Sequence, residues 1–227
     1  MVDLYSEIRG EVRQEKAIRF VKQNWRAILG TFIFSILMVA AGELWSNYQR
    51  GQQEKSGHAF NSAMIQLSRE NNTEEALKAF DKLSDDGTAS YRGLALLQKA
   101  SLQLKRKKID DAIATYKKLS DDGGISVEIR DLGTYLCAFL LYDQGKFDES
   151  EKMANPLVKK GSPWRMQALE LQSYIALAKN DNKKAAEILS LIAGERDVAP
   201  TLKERAGTLL AIANAGTTAS KTEPVKP

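Results

Sequence analysis

One cysteine, one histidine and five prolines are all that this 227-residue chain contains of those three types. Cys137 alone cannot form an intrachain disulfide, and His58 beside a single thiol leaves no ligand set for structural zinc. Nor does one imidazole, placed near an apolar run, assemble with a nucleophile and an orienting acid. Most metal and cysteine-protease chemistry is thereby excluded, and neither a catalytic residue nor a cofactor is expected. Charge of one sign is also scarce, since 33 Lys plus Arg against 29 Asp plus Glu leave a net +4. That small excess is not the basic field of a nucleic-acid partner. With 43% hydrophobic and 27% charged residues the composition is globular, sufficient for one or two ordinary domains.

Long apolar runs are absent except one. From Ala27 to Gly42 no residue is charged, and past Glu43 the run reaches Trp45. Nineteen helical residues span about 28 Å, close to the thickness of a bilayer's hydrocarbon core. Glu43 lies at the edge, where a carboxylate reaches headgroups, and Trp25 and Trp45 bracket the span as interfacial rings do. Six cations (Arg9, Arg13, Lys16, Arg19, Lys22, Arg26) precede it, whereas Arg50 and Lys55 are the two in the twenty residues after Trp45. The positive-inside rule then predicts a cytoplasmic N-terminus and an exported C-terminal part. The rival, a signal peptide cut after Val39-Ala40-Ala41, has to accommodate a long acid-containing pre-segment and an apolar face that continues through Leu44, Trp45 and Tyr48. No Cys follows the run, so a lipoprotein anchor is excluded. Residues 1–26 read as a cytoplasmic amphipathic segment carrying Leu4, Ile8 and Val12, a docking helix for a partner or lipid headgroups or else a solvated extension.

After the span the sequence repeats itself. Leu-Ser-Asp-Asp-Gly occurs at 83–87 and again at 119–123. Aligning those strings brings Ala76, Ala112, Ser150 and Ala185 into one position, at intervals of 36, 38 and 35. Phe80, Tyr116, Ala154 and Leu189 follow four residues later, then Leu83, Leu119, Leu157 and Ile192 at seven, which is one face of a helix. Twelve residues upstream stand Met64, Ala100, Ala138 and Ser173, on longer apolar helices. Small residues facing each other permit close helix packing, so the unit is a hairpin of about 35 residues that must stack on its neighbours to bury its face.

At this level the chain resembles tetratricopeptide repeats. Tyr142-Asp-Gln-Gly145-Lys-Phe147-Asp-Glu-Ser150 fits that family's turn between two helices, while Asn71, Lys107 and Asn180 stand where other units would have the turn glycine. The string EKAIRFVKQNWRAI, the single span, GELWSNYQ and YRGLALLQKASLQL together resemble a narrower family, the YfgM-like ancillary subunits of the bacterial Sec translocon. That resemblance implies an inner-membrane protein whose periplasmic repeats associate with translocon subunits, periplasmic chaperones and exported chains, and it brings no catalytic residues. The expected fold is all-α: a transmembrane helix at 27–45, a tetratricopeptide-like solenoid of about four hairpins over 46–215, and a disordered tail at 216–227, where GTTASKTEPVKP offers little to bury.

Three sets of residues invite a functional reading. Asp85-Asp86-Gly87 and Asp121-Asp122-Gly123 lack the alternating acids of a calcium loop and read as helix C-termini with glycine in a left-handed cap, as do Gly124 and Gly161. Cys137, inside the most apolar helix, reads as a small buried hydrophobe. Tyr135, Phe139 and Tyr142 stand at i, i+4 and i+7, and Tyr174 takes the place of Phe139 one unit later. In the resembled fold the first helices line a concave groove, so these rings form either a protein-binding strip, with Gln167 and Glu170 as its polar rim, or core. Ala76, Ala100, Ala112, Ala138, Ser150, Ser173 and Ala185 are the expected helix-packing positions. The function expected is a protein-interaction module in export, with an envelope or cell-division scaffold as the alternative.

Overall fold

The computed structural model describes residues 3–68 and 73–222, with the backbone alone over 3–21, 27–28 and 218–222. Among them the regular elements are all helical. They are α1 (Asp3–Ser68), α2 (Thr73–Asp86), α3 (Ala89–Lys105), α4 (Ile109–Asp121), α5 (Val127–Asp143), α6 (Phe147–Ala154), a 3-10 turn (Asn155–Val158), α7 (Arg165–Ala178), α8 (Asn182–Gly194) and α9 (Pro200–Thr222). The chain divides into two units, 1–54 and 55–227. In the first, α1 carries a stretch long and apolar enough to cross a membrane. Its Phe32, Phe34, Leu37 and Val39 are exposed. The faces of the amphipathic segment lie outside the described side chains, as does Asn71.

In the second unit, Phe60, Ala63 and Leu67 at the end of α1 pack with Ala76 and Phe80 of α2, α3 pairs with α4, α5 with α6 and α7 with α8, and α9 lies against α8. Acids open the second helices, Glu74 and Glu75 in α2, Asp110 and Asp111 in α4, Asp148 and Glu149 in α6, where they offset the positive end of the helix dipole. On α8 the Asp181 carboxylate instead accepts from the Lys184 N–H at 3.1 Å, an N-cap. The three described turns inside hairpins share one geometry. Lys107, Gly145 and Asn180 have φ of 59°, 71° and 60°. In each, the next residue's N–H reaches back five residues, Lys108 to Gln103 O at 2.8 Å, Lys146 to Leu141 O at 2.9 Å and Asp181 to Ala176 O at 2.8 Å. This is a Schellman closure, which glycine adopts without steric cost and which Lys107 and Asn180 adopt against the usual preference.

All seven packing positions have zero exposure. The two serines among them are satisfied internally: Ser150 Oγ donates across its hairpin to Ala138 O at 2.6 Å, and Ser173 Oγ donates to Glu170 O at 2.7 Å. Phe80, Tyr116, Ala154 and Leu189, and with them Leu83, Leu119, Leu157 and Ile192, fill the space between hairpins. Cys137 is buried, and its thiol lies 3.9 Å from Ile113 O. Gly133 explains how closely α5 lies on α4, because a Cβ there would come within 2.7 Å of Leu119 Cδ2.

Two expectations are corrected. The Asp-Asp-Gly strings do end α2 and α4, but Gly87, Gly123 and Gly124 are not left-handed; among the described glycines only Gly145 and Gly161 have positive φ. Gly87 is small for a different reason, since a Cβ there would meet Leu83 O at 2.5 Å. Asp122 works as an anchor. It takes Arg92 Nε at 2.7 Å and Nη2 at 3.0 Å and also accepts from the Gly124 N–H, and the guanidinium holds its carboxyl below the usual range. The second correction concerns the tail, because residues 216–222 continue α9 as helix. Leu202, Ala206 and Ala213 bury α9, and Gly216 comes so close to Asn182 on α8 that a Cβ would meet its amide at 2.5 Å. Packing on α8 thus anchors α9 as far as Gly216.

Candidate protein-binding groove

The four predicted rings come together. Tyr135 and Phe139 on α5 lie 6.3 Å apart between centroids, Phe139 and Tyr142 6.3 Å, and Tyr142 meets Tyr174 on α7 at 6.2 Å. A fifth ring completes the row: Trp164, just before α7, stacks on Tyr135 at 5.3 Å and 21°. The periodicity of the first helices could not bring it in, because Trp164 belongs to the turn that precedes α7. Its signal was the Ser162-Pro163-Trp164 string, an aromatic at the entrance to the next unit.

The rings are neither fully core nor fully exposed. Tyr135 and Tyr142 lie against Ala138, Ala154, Leu171 and Ile175, and Phe147 meets Tyr142 from the turn side at 5.7 Å. Phe139 is 39% exposed, whereas Tyr135, Tyr142 and Tyr174 are half-buried. Such rings present one face to the core and leave the other for a partner, at little entropy cost because each has two rotatable bonds.

The polar rim is not as expected. Glu170 is only 6% exposed, and its carboxylate accepts from Tyr174 Oη at 2.9 Å and from Arg205 Nε at 2.8 Å and Nη2 at 3.1 Å. The reason is the repeat itself: Tyr135, Glu170 and Arg205 occupy one position of three successive first helices, so an acid meets a base 35 residues later. A bidentate guanidinium compensates the buried charge that an isolated Glu170 could not carry. Gln167 is half-buried, with its amide oxygen buried and unpartnered. Burial, together with donation to Glu170, pushes Tyr174 up to about 12. Burial also raises Tyr135, with the Glu170 charge adding to it, and the pairing with Glu170 strengthens the hold of Arg205 on its proton. Arg205, which the repeat alignment did not include, is therefore part of this surface.

At the apolar stretch of α1, Arg26 lies over Trp25 at 5.7 Å, and Trp45 and Tyr48 lie 6.3 Å apart. These rings sit at both ends of the exposed apolar stretch of α1.

The profile of the tetratricopeptide repeat-like domain matches residues 18–190. Two crystal structures of nearly identical TPR-like repeats assigned to a kinesin light chain of Podosopora anserina are similar in fold. At 13% identity they superpose with TM-scores of 0.51 and 0.50, over 76% of this chain and 87% and 88% of theirs. No curated protein matches the sequence.

Proposed function

Because the chain belongs to the tetratricopeptide repeat-like domain family, we propose that it is a membrane-anchored protein-interaction module whose α5–α7 groove receives polypeptide at the bacterial translocon. The row of five rings across two hairpins carries the reading. Rings fixed underneath and open above supply contact area with little ordering cost, which a surface that captures chains of varied sequence requires. The apolar run at 27–45, bounded by Trp25 and Trp45 and preceded by six of the nearby cations, supports an inner-membrane span with the N-terminus in the cytoplasm. The repeats then lie in the periplasm. The resemblance to ancillary Sec subunits adds translocon subunits and periplasmic chaperones as partners, so that the module passes emerging chains onward. The alternative, an envelope or division scaffold, uses the same groove for one fixed partner.

A photo-reactive residue at Tyr48 or Gln52 separates the two. Both follow the span directly, where contact with the translocon is made if the proposal holds. Crosslinks to translocon subunits are expected. Crosslinks to division or wall proteins instead would overturn the export reading in favour of the scaffold.

A further inference from the structure

A cavity of about 520 Å³ opens between α4 and α6, with α5 as its floor, and it involves none of the aromatic row. It arises from the one described hairpin whose second helix is cut short: α6 ends at Ala154, and the backbone tightens into a 3-10 turn with Pro156 near its start. Proline has no N–H for a continuing helix, and the space beside the shortened α6 is the cavity. Leu141, Met153 and Pro156 supply the apolar part of the lining. The volume falls in the range of small-molecule sites.

What the cavity leaves unpaired describes its ligand. Its two hydroxyls are already committed, Ser120 to Thr134 at 2.6 Å and Thr134 to Arg130 O at 2.9 Å. Lys117 and Glu149 face each other at 3.7 Å. Two cations, Arg130 and Lys152, and two acids, Asp121 and Asp131, also line it, and none of these four makes a side-chain ion pair among the described residues. Arg130 Nε is buried and has no acceptor. A buried guanidinium N–H without an acceptor costs free energy, and the same guanidinium lines the cavity, where a carboxylate would offset its charge. Equal numbers of lining acids disfavour phosphates and other polyanions, while Asp121 and Asp131 provide for an ammonium group.

We infer that this cavity binds a small zwitterion of the amino-acid or short-peptide class, with its carboxylate on Arg130 and Lys152 and its ammonium towards Asp121 and Asp131. The site is separate from the groove, so its fate is independent of the function proposed above.

Calorimetry on the full chain in detergent, titrated with trialanine, its C-terminal amide, its N-acetyl derivative and free alanine, tests this. Trialanine should bind, and blocking either end should weaken binding about tenfold or more, the worth of one charge-assisted contact. Alanine binding as tightly as trialanine would identify the free amino acid as sufficient, and weaker alanine binding would identify the peptide. Arg130→Met keeps the apolar stem and should lose the preference for a free carboxylate without lowering the melting temperature. Should that variant fold poorly, the exposed Lys152→Gln carries the same expectation in smaller measure, and Asp131→Asn should reduce the preference for a free amine. No heat with millimolar trialanine or alanine, or equal binding of free and blocked peptides, would overturn the assignment.

Discussion

At the level of single residues, the turn positions separate what a side chain prefers from what the fold imposes. Lys107 and Asn180 hold the left-handed conformation that Gly145 holds in the equivalent place. A non-glycine residue there costs roughly 1–2 kcal/mol, partly offset because glycine makes the unfolded chain more flexible. Lys107→Gly is therefore expected to raise stability by roughly 0.5–1 kcal/mol, read as an increase in the urea midpoint, and Asn180→Gly by less, since Asn tolerates this region better. Protonation makes a second residue-scale prediction. Burial pushes Cys137 from an ordinary 9.0 to about 11, and Tyr174 goes from 10.0 to about 12, with Tyr116 and Tyr135 raised as well. The folded chain holds these protons more tightly than the unfolded one, so their contribution is complete below about pH 9 and lost as pH climbs through the folded values. The melting temperature should hold from pH 7 to about 9 and then fall continuously. A flat profile up to pH 11 would show the groups to be solvated in solution. The same burial leaves Cys137 unreactive towards a thiol reagent at pH 8 until the protein is denatured.

Helices meet through residues too small to notice in composition alone. Ala112 and its six counterparts have no exposure. Ala112→Leu places three extra carbons where α3, α4 and α5 meet around Leu96, Tyr116 and Cys137, and overpacking of that kind costs about 1–3 kcal/mol. An unchanged thermal midpoint would show that the site relaxes freely and that the small residue is not required there. The aromatic row is also a property of two elements together. Tyr142 touches Phe139, Phe147 and Tyr174, yet keeps part of its surface open. Tyr142→Ala should destabilise the protein by roughly 1.5–3 kcal/mol, less than the ~3–5 kcal/mol of a fully enclosed ring, while reducing partner capture in a pull-down. Full loss of folding would assign the ring to the core, and normal capture at near-normal stability would remove it from the binding surface.

For the whole molecule, the proposal to be tested is that α1 anchors the chain in a membrane with the repeats outside the cytoplasm. The bias of cations towards residues 9–26 and the exposed apolar stretch of α1 motivate one topology. A reporter active only outside the cytoplasm, fused after Ala215, should be active, and the full chain should remain in the membrane fraction after alkaline extraction. Release of the repeat domain into the periplasmic fraction would favour cleavage near Ala41. The pairing of hairpins contributes something no single helix has: each buries its apolar face only because a neighbour covers it, and α9 closes the last one.

Much of this architecture was legible because it rests on near neighbours in the sequence. The interval of about 35 residues, the i, i+4, i+7 face and the small residues twelve positions apart are each enough to specify a helix hairpin, and the rings of α5 follow from the same period. Turn conformations at Lys107 and Asn180 were readable by alignment with Gly145 for the same reason. Other features depended on groups far apart in the chain. Glu170 passes from expected rim to buried carboxylate because Arg205 arrives from α9, and Gly216 is held close to Asn182 of α8. Trp164 joins the row through a turn that carries no period, and Arg130 on α5 keeps a buried Nε that no other described element supplies with an acceptor. Periodicity encodes which face of a helix is buried; the partner a charge or ring finds is decided by the three-dimensional return of the chain, whose energetics no local pattern contains.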